Sequence, residues 1–248
     1  AYIKIGEGCD RPCAFCIIPK LRGPQRSRTV ESVVREADAL AKNGTREICL
    51  VTQDLTTYGT DLPGKPTLED LLKALVSVRE LLWIRLHYAF PTTVTEGLIN
   101  LIASEPRIAS YLDVPIQHVD TDVLKRMRRG YTERVVRKMV AQLEAAPHPI
   151  TLRTTMLVGH PGETEEAYQR LYNFIEEGHI DHLGAFPWSR EEGTVSAMQP
   201  GRVKPEEALR RQGELMQLQE TIRQRKHDAL VGTTMPILVD GIGDPAAA

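Results

Sequence analysis

Long apolar runs are missing from this sequence. Its 248 residues are 42% hydrophobic, yet no stretch reaches the roughly 18 consecutive apolar residues of a membrane-crossing helix. No membrane span is expected. A charged leader with a short apolar core is missing too. The chain opens directly into a strand-like run, Tyr2-Ile3-Lys4-Ile5, so no signal peptide is expected. So abrupt an opening suggests that further sequence precedes it in the natural protein. Neither sign of charge is in excess: 31 Lys and Arg face 33 Asp and Glu, a net charge of −2. That balance does not suggest broad nucleic-acid binding. Cysteine is sparse, at four residues, and three of them (Cys9, Cys13 and Cys16) crowd together while Cys49 stands alone. A disulfide framework would spread its cysteines out. A tight cluster without an export signal indicates a metal site in a reducing compartment, and a cytoplasmic location is expected.

What the sequence does contain is an alternation. Strand-like runs are Ile3–Gly6, Ile48–Thr52, Ile84–Tyr88, Tyr111–Pro115, Leu152–Gly159 and Leu183–Phe186. Segments of helical period lie between them. Val33, Val34, Ala37, Leu40 and Ala41 form one apolar stripe. Leu68, Leu71, Leu72 and Leu75 form another, opened by Thr67 as N-cap with Asp70 three residues on. Leu98, Ile99 and Ile102 mark a third helix, and Val135, Val136, Met139, Val140 and Leu143 a fourth. Ala167, Leu171, Phe174 and Ile175 mark a fifth, stopped at Gly178. A longer one runs from Pro205 to Leu230 with Leu215, Leu218 and Ile222 inward. Six βα units in a row predict an α/β fold with a parallel sheet and outer helices. Right-handed crossovers curl such a sheet one way. The expected fold is an open six-unit partial (β/α) barrel spanning residues 1–230. A flat doubly wound sheet is the alternative, and alternation alone does not exclude it. In both, the functional loops leave the C-terminal ends of the strands. After Leu230 the pattern changes. Thr233–Asp240 alternates like a strand, so residues 231–248 are expected to hold a linker and the start of a further β domain.

Cys9-Asp10-Arg11-Pro12-Cys13-Ala14-Phe15-Cys16 spells C-x-x-x-C-x-x-C directly after the first strand. Three thiolates on one short loop can each take an iron corner of a cubane cluster, leaving the fourth iron open. An open coordination position is where a cofactor or substrate binds a metal. The bland alternative is structural zinc, which wants four ligands and usually two C-x-x-C pairs. No second pair exists here, and Cys49 fits a strand as a small buried hydrophobe.

C-x-x-x-C-x-aromatic-C after the first strand of a six-unit barrel resembles the signature of the radical S-adenosylmethionine (SAM) superfamily. That resemblance implies a 4Fe–4S cluster on Cys9, Cys13 and Cys16 as catalytic and metal-binding residues. It implies SAM on the open iron, reductive cleavage of its sulfonium, and hydrogen abstraction by a 5′-deoxyadenosyl radical. Phe15 would pack beside the adenine. Three longer segments resemble the methylthiotransferase branch: Ile5–Arg28 (IGEGCDRPCAFCIIPKLRGPQRSR), Val158–Glu166 (VGHPGETEE) and Trp188–Thr194 (WSREEGT). This branch inserts CH3–S– at an unactivated C–H bond. Its members carry an N-terminal domain with a second 4Fe–4S cluster, a radical SAM barrel, and a C-terminal TRAM β-barrel. The chain resembles the middle part, and Thr233–Asp240 resembles the first TRAM strand. Gln53-Asp54-Leu55-Thr56-Thr57-Tyr58-Gly59 and Gln117-His118 resemble the group acting on an aspartate β-carbon of the twelfth small-subunit ribosomal protein. Leu55 stands where that group usually has threonine. Arg129-Gly130-Tyr131-Thr132 is closer to the group acting on a tRNA adenosine, which stays as the alternative. A zinc-stabilised RNA-binding module is the alternative from another class.

Within that frame, Gln53 and Asp54 end the second strand at the functional face. Gln117 and His118 end the fourth and are expected to contact SAM or the second cluster. Arg153, inside the fifth strand, either clamps the SAM carboxylate as a fork donor or pairs with a neighbouring strand. Gly159 and Gly162 allow a turn close to the adenosine. Thr56, Thr57 and Tyr58 are expected at the barrel mouth, offering hydroxyls to a small anionic target. A flipped base would want stacking planes, and Phe, Trp and Tyr make up only 5% of the chain. Two basic runs remain: Lys20, Arg22, Arg26 and Arg28, and then Lys125, Arg126, Arg128 and Arg129. The first borders an anionic cluster or is solvated. The second is a candidate contact to ribosomal or transfer RNA. The expected partners are the ribosomal protein, the ribosome or its RNA, and an electron donor.

Overall fold

The computed structural model describes residues 1–239 and Gly241. Six parallel strands form one sheet: β1 (Tyr2–Lys4), β2 (Glu47–Val51), β3 (Trp83–Leu86), β4 (Ile108–Asp113), β5 (Thr151–Val158) and β6 (His182–Pro187). They are ordered in space as in the chain. A doubly wound sheet must reverse its strand order at a switch point. This one never reverses, which is the order of an open barrel wound in one direction.

Each strand shows one face to a layer of helices. In β5, Leu152, Thr154, Met156 and Val158 are buried while Arg153, Thr155 and Leu157 are partly exposed. The buried face packs against α1 (Val30–Lys42), α2 (Leu68–Val76), α3 (Glu96–Ser104), α4 (Glu133–Glu144), α5 (Glu165–Glu176) and α6 (Pro205–Asp228). Their starts are set by local chemistry. Thr67 and Asp70 form a reciprocal capping box at α2. Thr29, Thr95 and Thr164 accept backbone N–H groups at α1, α3 and α5. On α6, Leu215 and Ile222 are buried and Leu218 is partly buried against the core.

Between β1 and α1 lie the cysteine loop, a short helix Ile18–Arg22, and a two-residue antiparallel pairing of Gly6–Glu7 with Arg26–Ser27. Another short helix, Thr121–Arg126, follows β4. Among the described residues no helix is long and apolar enough to cross a membrane.

The strand expected at Thr233–Asp240 is not formed at 233–239, and Asp240 lies outside the described residues. Met235, Ile237 and Val239 are 51%, 77% and 72% exposed. An extended segment becomes a strand only when a neighbour takes its backbone hydrogen bonds.

Candidate active site

The cysteine loop is held by its backbone. Cys9 N–H donates to the Gly23 carbonyl at 3.1 Å, and Ala14 N–H to that of Met127 at 2.8 Å. The Ala14 carbonyl accepts from Ser196 N–H at 2.8 Å. Gly8, with φ +82°, lets this happen: a Cβ there would meet the Pro24 carbonyl oxygen at 2.1 Å. Cys9 is buried, and Cys13 and Cys16 are partly exposed. Burial pushes the thiols of Cys9 and Cys16 up from their ordinary value.

All three cysteines line one cavity of about 370 Å³ at the C-terminal end of the barrel. The loop after β1 also gives it Arg11, Phe15 and Ile18. The end of β2 gives Thr52, Gln53 and Asp54, the end of β3 gives Tyr88, Ala89 and Phe90, and the segment after β4 gives Pro115, Gln117 and Arg129. Among the described residues no three His, Cys, Asp or Glu could together hold a single metal ion. The thiols instead share the wall of a cavity, as a polynuclear thiolate-bound group requires. The donor set fits an iron–sulfur cluster and does not fit closed, four-ligand structural zinc.

The sequence-derived candidates divide here. Phe15, Gln53, Asp54 and Gln117 line the cavity with the cysteines. Thr56 does not; its hydroxyl donates to Asp54 Oδ1 at 2.6 Å and so braces that carboxylate from behind. Thr57 is turned toward Gln25. Tyr58 is 3% exposed and donates to the Arg28 carbonyl at 2.7 Å. Thr56 and Thr57 lie in a 3-10 turn after β2, Leu55–Thr57, with Tyr58 at its C-cap, which rolls them under the rim instead of along it. His118 is fully buried: its Nδ1 accepts from Asp120 N–H at 2.9 Å, and its Nε2 faces Glu163 at 3.6 Å. Arg153 pairs across strands with Asp113, the last residue of β4, at 2.9 Å and does not line the cavity. The inter-strand pairing expected for Arg153 is thus present. Gly159 has φ +75°, and a Cβ there would meet Ala208 Cβ of α6 at 2.5 Å. The left-handed φ and the close approach of α6 each call for a glycine at that position, which does not line the cavity.

The basic runs also separate. Arg22 pairs with Glu7 and Arg28 with Glu36, and none of Lys20, Arg22, Arg26 and Arg28 lines the cavity. Lys125, Arg126 and Arg128 are exposed, but Arg129 is only 7% exposed. Its guanidinium donates to Cys13 Sγ at 3.2 Å, to Tyr131 Oη at 2.9 Å and to the Pro115 carbonyl at 2.6 Å. An RNA contact is excluded for this residue by its burial.

Arg11 and Tyr88 were not singled out from sequence. Arg11 donates to Asp54 at 2.6 Å and to Thr93 Oγ1 at 3.0 Å, and lies over the Phe90 ring at 3.8 Å. Its place inside the cysteine motif was the available signal. Tyr88 and Gln117 have φ +64° and +74°. Non-glycine residues in the left-handed region are uncommon, and these two end adjacent strands and line the same cavity. Cys49, expected as a buried hydrophobe, is partly exposed beside His87. The Asp113 carboxylate, then Cys49, pushes the His87 imidazole up to about 9.

This chain belongs to the radical SAM superfamily, whose family model matches residues 3–175. Its curated relatives carry a narrower name. It is 46% identical over 244 residues to the ribosomal protein uS12 methylthiotransferase RimO of Geobacter sulfurreducens, covering 98% of this chain and 55% of that one. The protein of the same name from Anaeromyxobacter sp. is 48% identical over 241 residues, covering 97% and 51%. The chain thus spans about half the length of the curated relatives it matches. Among solved structures, the radical S-adenosylmethionine methyltransferase TsrM from Kitasatospora setae, with cobalamin and a 4Fe–4S cluster bound, superposes with a TM-score of 0.65. It is 19% identical and covers 80% of this chain and 38% of that one, a likeness of fold.

Proposed function

We propose that this chain is the radical SAM core of a methylthiotransferase that modifies an aspartate β-carbon of ribosomal protein uS12. The observation that carries this reading is the cysteine-lined cavity at the strand ends, in a chain 44–48% identical to proteins named for that reaction. Cys9, Cys13 and Cys16 would hold a 4Fe–4S cluster, with SAM on its open side. When bound, the cluster supplies the electron that cleaves the SAM sulfonium. The chain's own residues hold the geometry. Arg11 and Thr56 fix the Asp54 carboxylate at the rim. Phe15 and Ile18 give the cavity an apolar wall that limits water beside a reactive radical. Gln53 and Gln117 offer amides that can accept and donate to a polar cofactor.

A second 4Fe–4S cluster in an N-terminal domain, and a TRAM-like domain after about residue 230, belong to the same proposal. So do an electron donor and the ribosome or its RNA as partners, and a cytoplasmic location. The test compares cells with and without the gene. The mass of uS12 and the nucleosides of tRNA are both measured. Loss of the methylthio group from uS12 alone is expected. Loss from tRNA with uS12 unchanged would replace this substrate by the adenosine.

A further inference from the structure

Arg129 carries a full positive charge at any pH a protein survives. Burying such a charge is costly unless an opposite charge meets it. No carboxylate does so here: among the described residues Arg129 forms no ion pair with Asp or Glu. Its partners are the Cys13 sulfur, the Tyr131 hydroxyl, the Pro115 carbonyl and the face of the Phe90 ring, 4.3 Å away. The other guanidinium of the cavity, Arg11, is already neutralised by Asp54. Among the described residues Arg129 is therefore the one cation lining this cavity without a carboxylate, and its Nη1 points at a cysteine.

We propose that Arg129 is a positioning residue for the cluster: it fixes the Cys13 sulfur and favours the reduced state by an N–H···S bond and a buried positive charge. This rests on the cluster reading above. Hydrogen bonds to ligating sulfurs and local net charge both set iron–sulfur potentials. One-electron reduction adds one negative charge to the cluster, the electron coming from an external reductant. A fixed cation 3.2 Å from a ligating sulfur stabilises the more negative state more strongly. Tyr131 and Pro115 leave the guanidinium little freedom to turn away, so its bond to Cys13 is preorganised.

The test reconstitutes this chain anaerobically with iron and sulfide and titrates it with a low-potential reductant under electron paramagnetic resonance. Arg129→Gln is expected to have a more negative midpoint potential. Roughly a tenfold lower reduced-to-oxidised ratio at fixed poise corresponds to 59 mV for one electron. Arg129→Lys, which keeps the charge and loses the fork, should fall between. Tyr131→Phe removes a brace but leaves charge and sulfur bond, so it should lower thermal stability with little change in potential. A potential for Arg129→Gln equal to wild type overturns the proposal, as does an equal shift in Tyr131→Phe. Should Arg129→Gln hold no iron, Arg129→Lys decides: a negative shift supports the role and a wild-type potential ends it. A wild-type chain binding no iron and acid-labile sulfide defeats the underlying cluster reading instead, before any variant is compared.

Discussion

Tyr88 stands in a backbone conformation that L-residues rarely take, with φ +64°. Its side chain is 48% exposed, so burial does not offset the strain. Strain of this kind costs on the order of 1–3 kcal/mol and persists where the surroundings dictate it. Tyr88→Gly is expected to raise stability by about 1 kcal/mol in urea unfolding, because glycine relieves the left-handed backbone and little packing is lost. If the proposed function holds, the same change should slow modification of the protein substrate, since the ring lining the cavity is gone. A less stable variant would refute the strain argument, and unchanged turnover would refute the role of the ring in the cavity.

Elements meet where β5 ends. Gly159 turns toward Glu163, whose carboxylate accepts its N–H, and Glu163 is in turn met by Arg211 of α6 at 3.4 Å. Tyr168 of α5 donates to Glu214 of α6 at 2.7 Å. The last helix is thus fastened to the turn that borders the cavity loops. Gly159→Ala places a methyl against Ala208 of that helix. Overpacking of this kind costs roughly 1–3 kcal/mol, to which the positive φ adds. The expected outcome is a lower unfolding midpoint and faster hydrogen exchange along α6, with α2 unaffected. Equal loss of protection in both helices would mean that the turn does not act through α6.

For the whole molecule, two histidines set opposite limits on pH. His87 is raised from 6.5 to about 9 by Asp113 and Cys49, and the rings of Tyr2, Tyr88 and Tyr111 also border it. Its contribution is complete below about pH 6.5 and is lost as pH rises through about 9. His160 is lowered to about 4, chiefly because burial disfavours its charged form. Its contribution is complete above about 6.5 and is lost as pH falls through about 4. Denaturant titrations across pH should therefore show greatest stability near pH 6–7. His87→Gln should flatten the alkaline limb and His160→Gln the acidic one. A variant with both limbs unchanged would assign the pH dependence to other groups.

Much of this protein is determined by sequence alone. Six strand-and-helix periods, the Thr67–Asp70 capping box and the cysteine triplet are short-range features, settled by side-chain spacing over a few residues. Right-handed crossovers restrict the order of the strands, but the unreversed order that separates the open barrel from a doubly wound sheet is set by the tertiary structure. Which polar residues reach the cavity was not legible in the same way. Gln53 and Asp54 enter it, whereas Thr57 and Tyr58 of the same motif roll beneath it. Arg153 lies in a barrel strand but pairs with Asp113 and does not line the cavity, and Arg129 ends a basic run yet points inward at Cys13. Side-chain direction reverses with each residue of a strand and turns through a tight loop. It is decided by contacts distant in the chain, such as Asp113 for Arg153 and Cys13 for Arg129, which only the tertiary structure brings together.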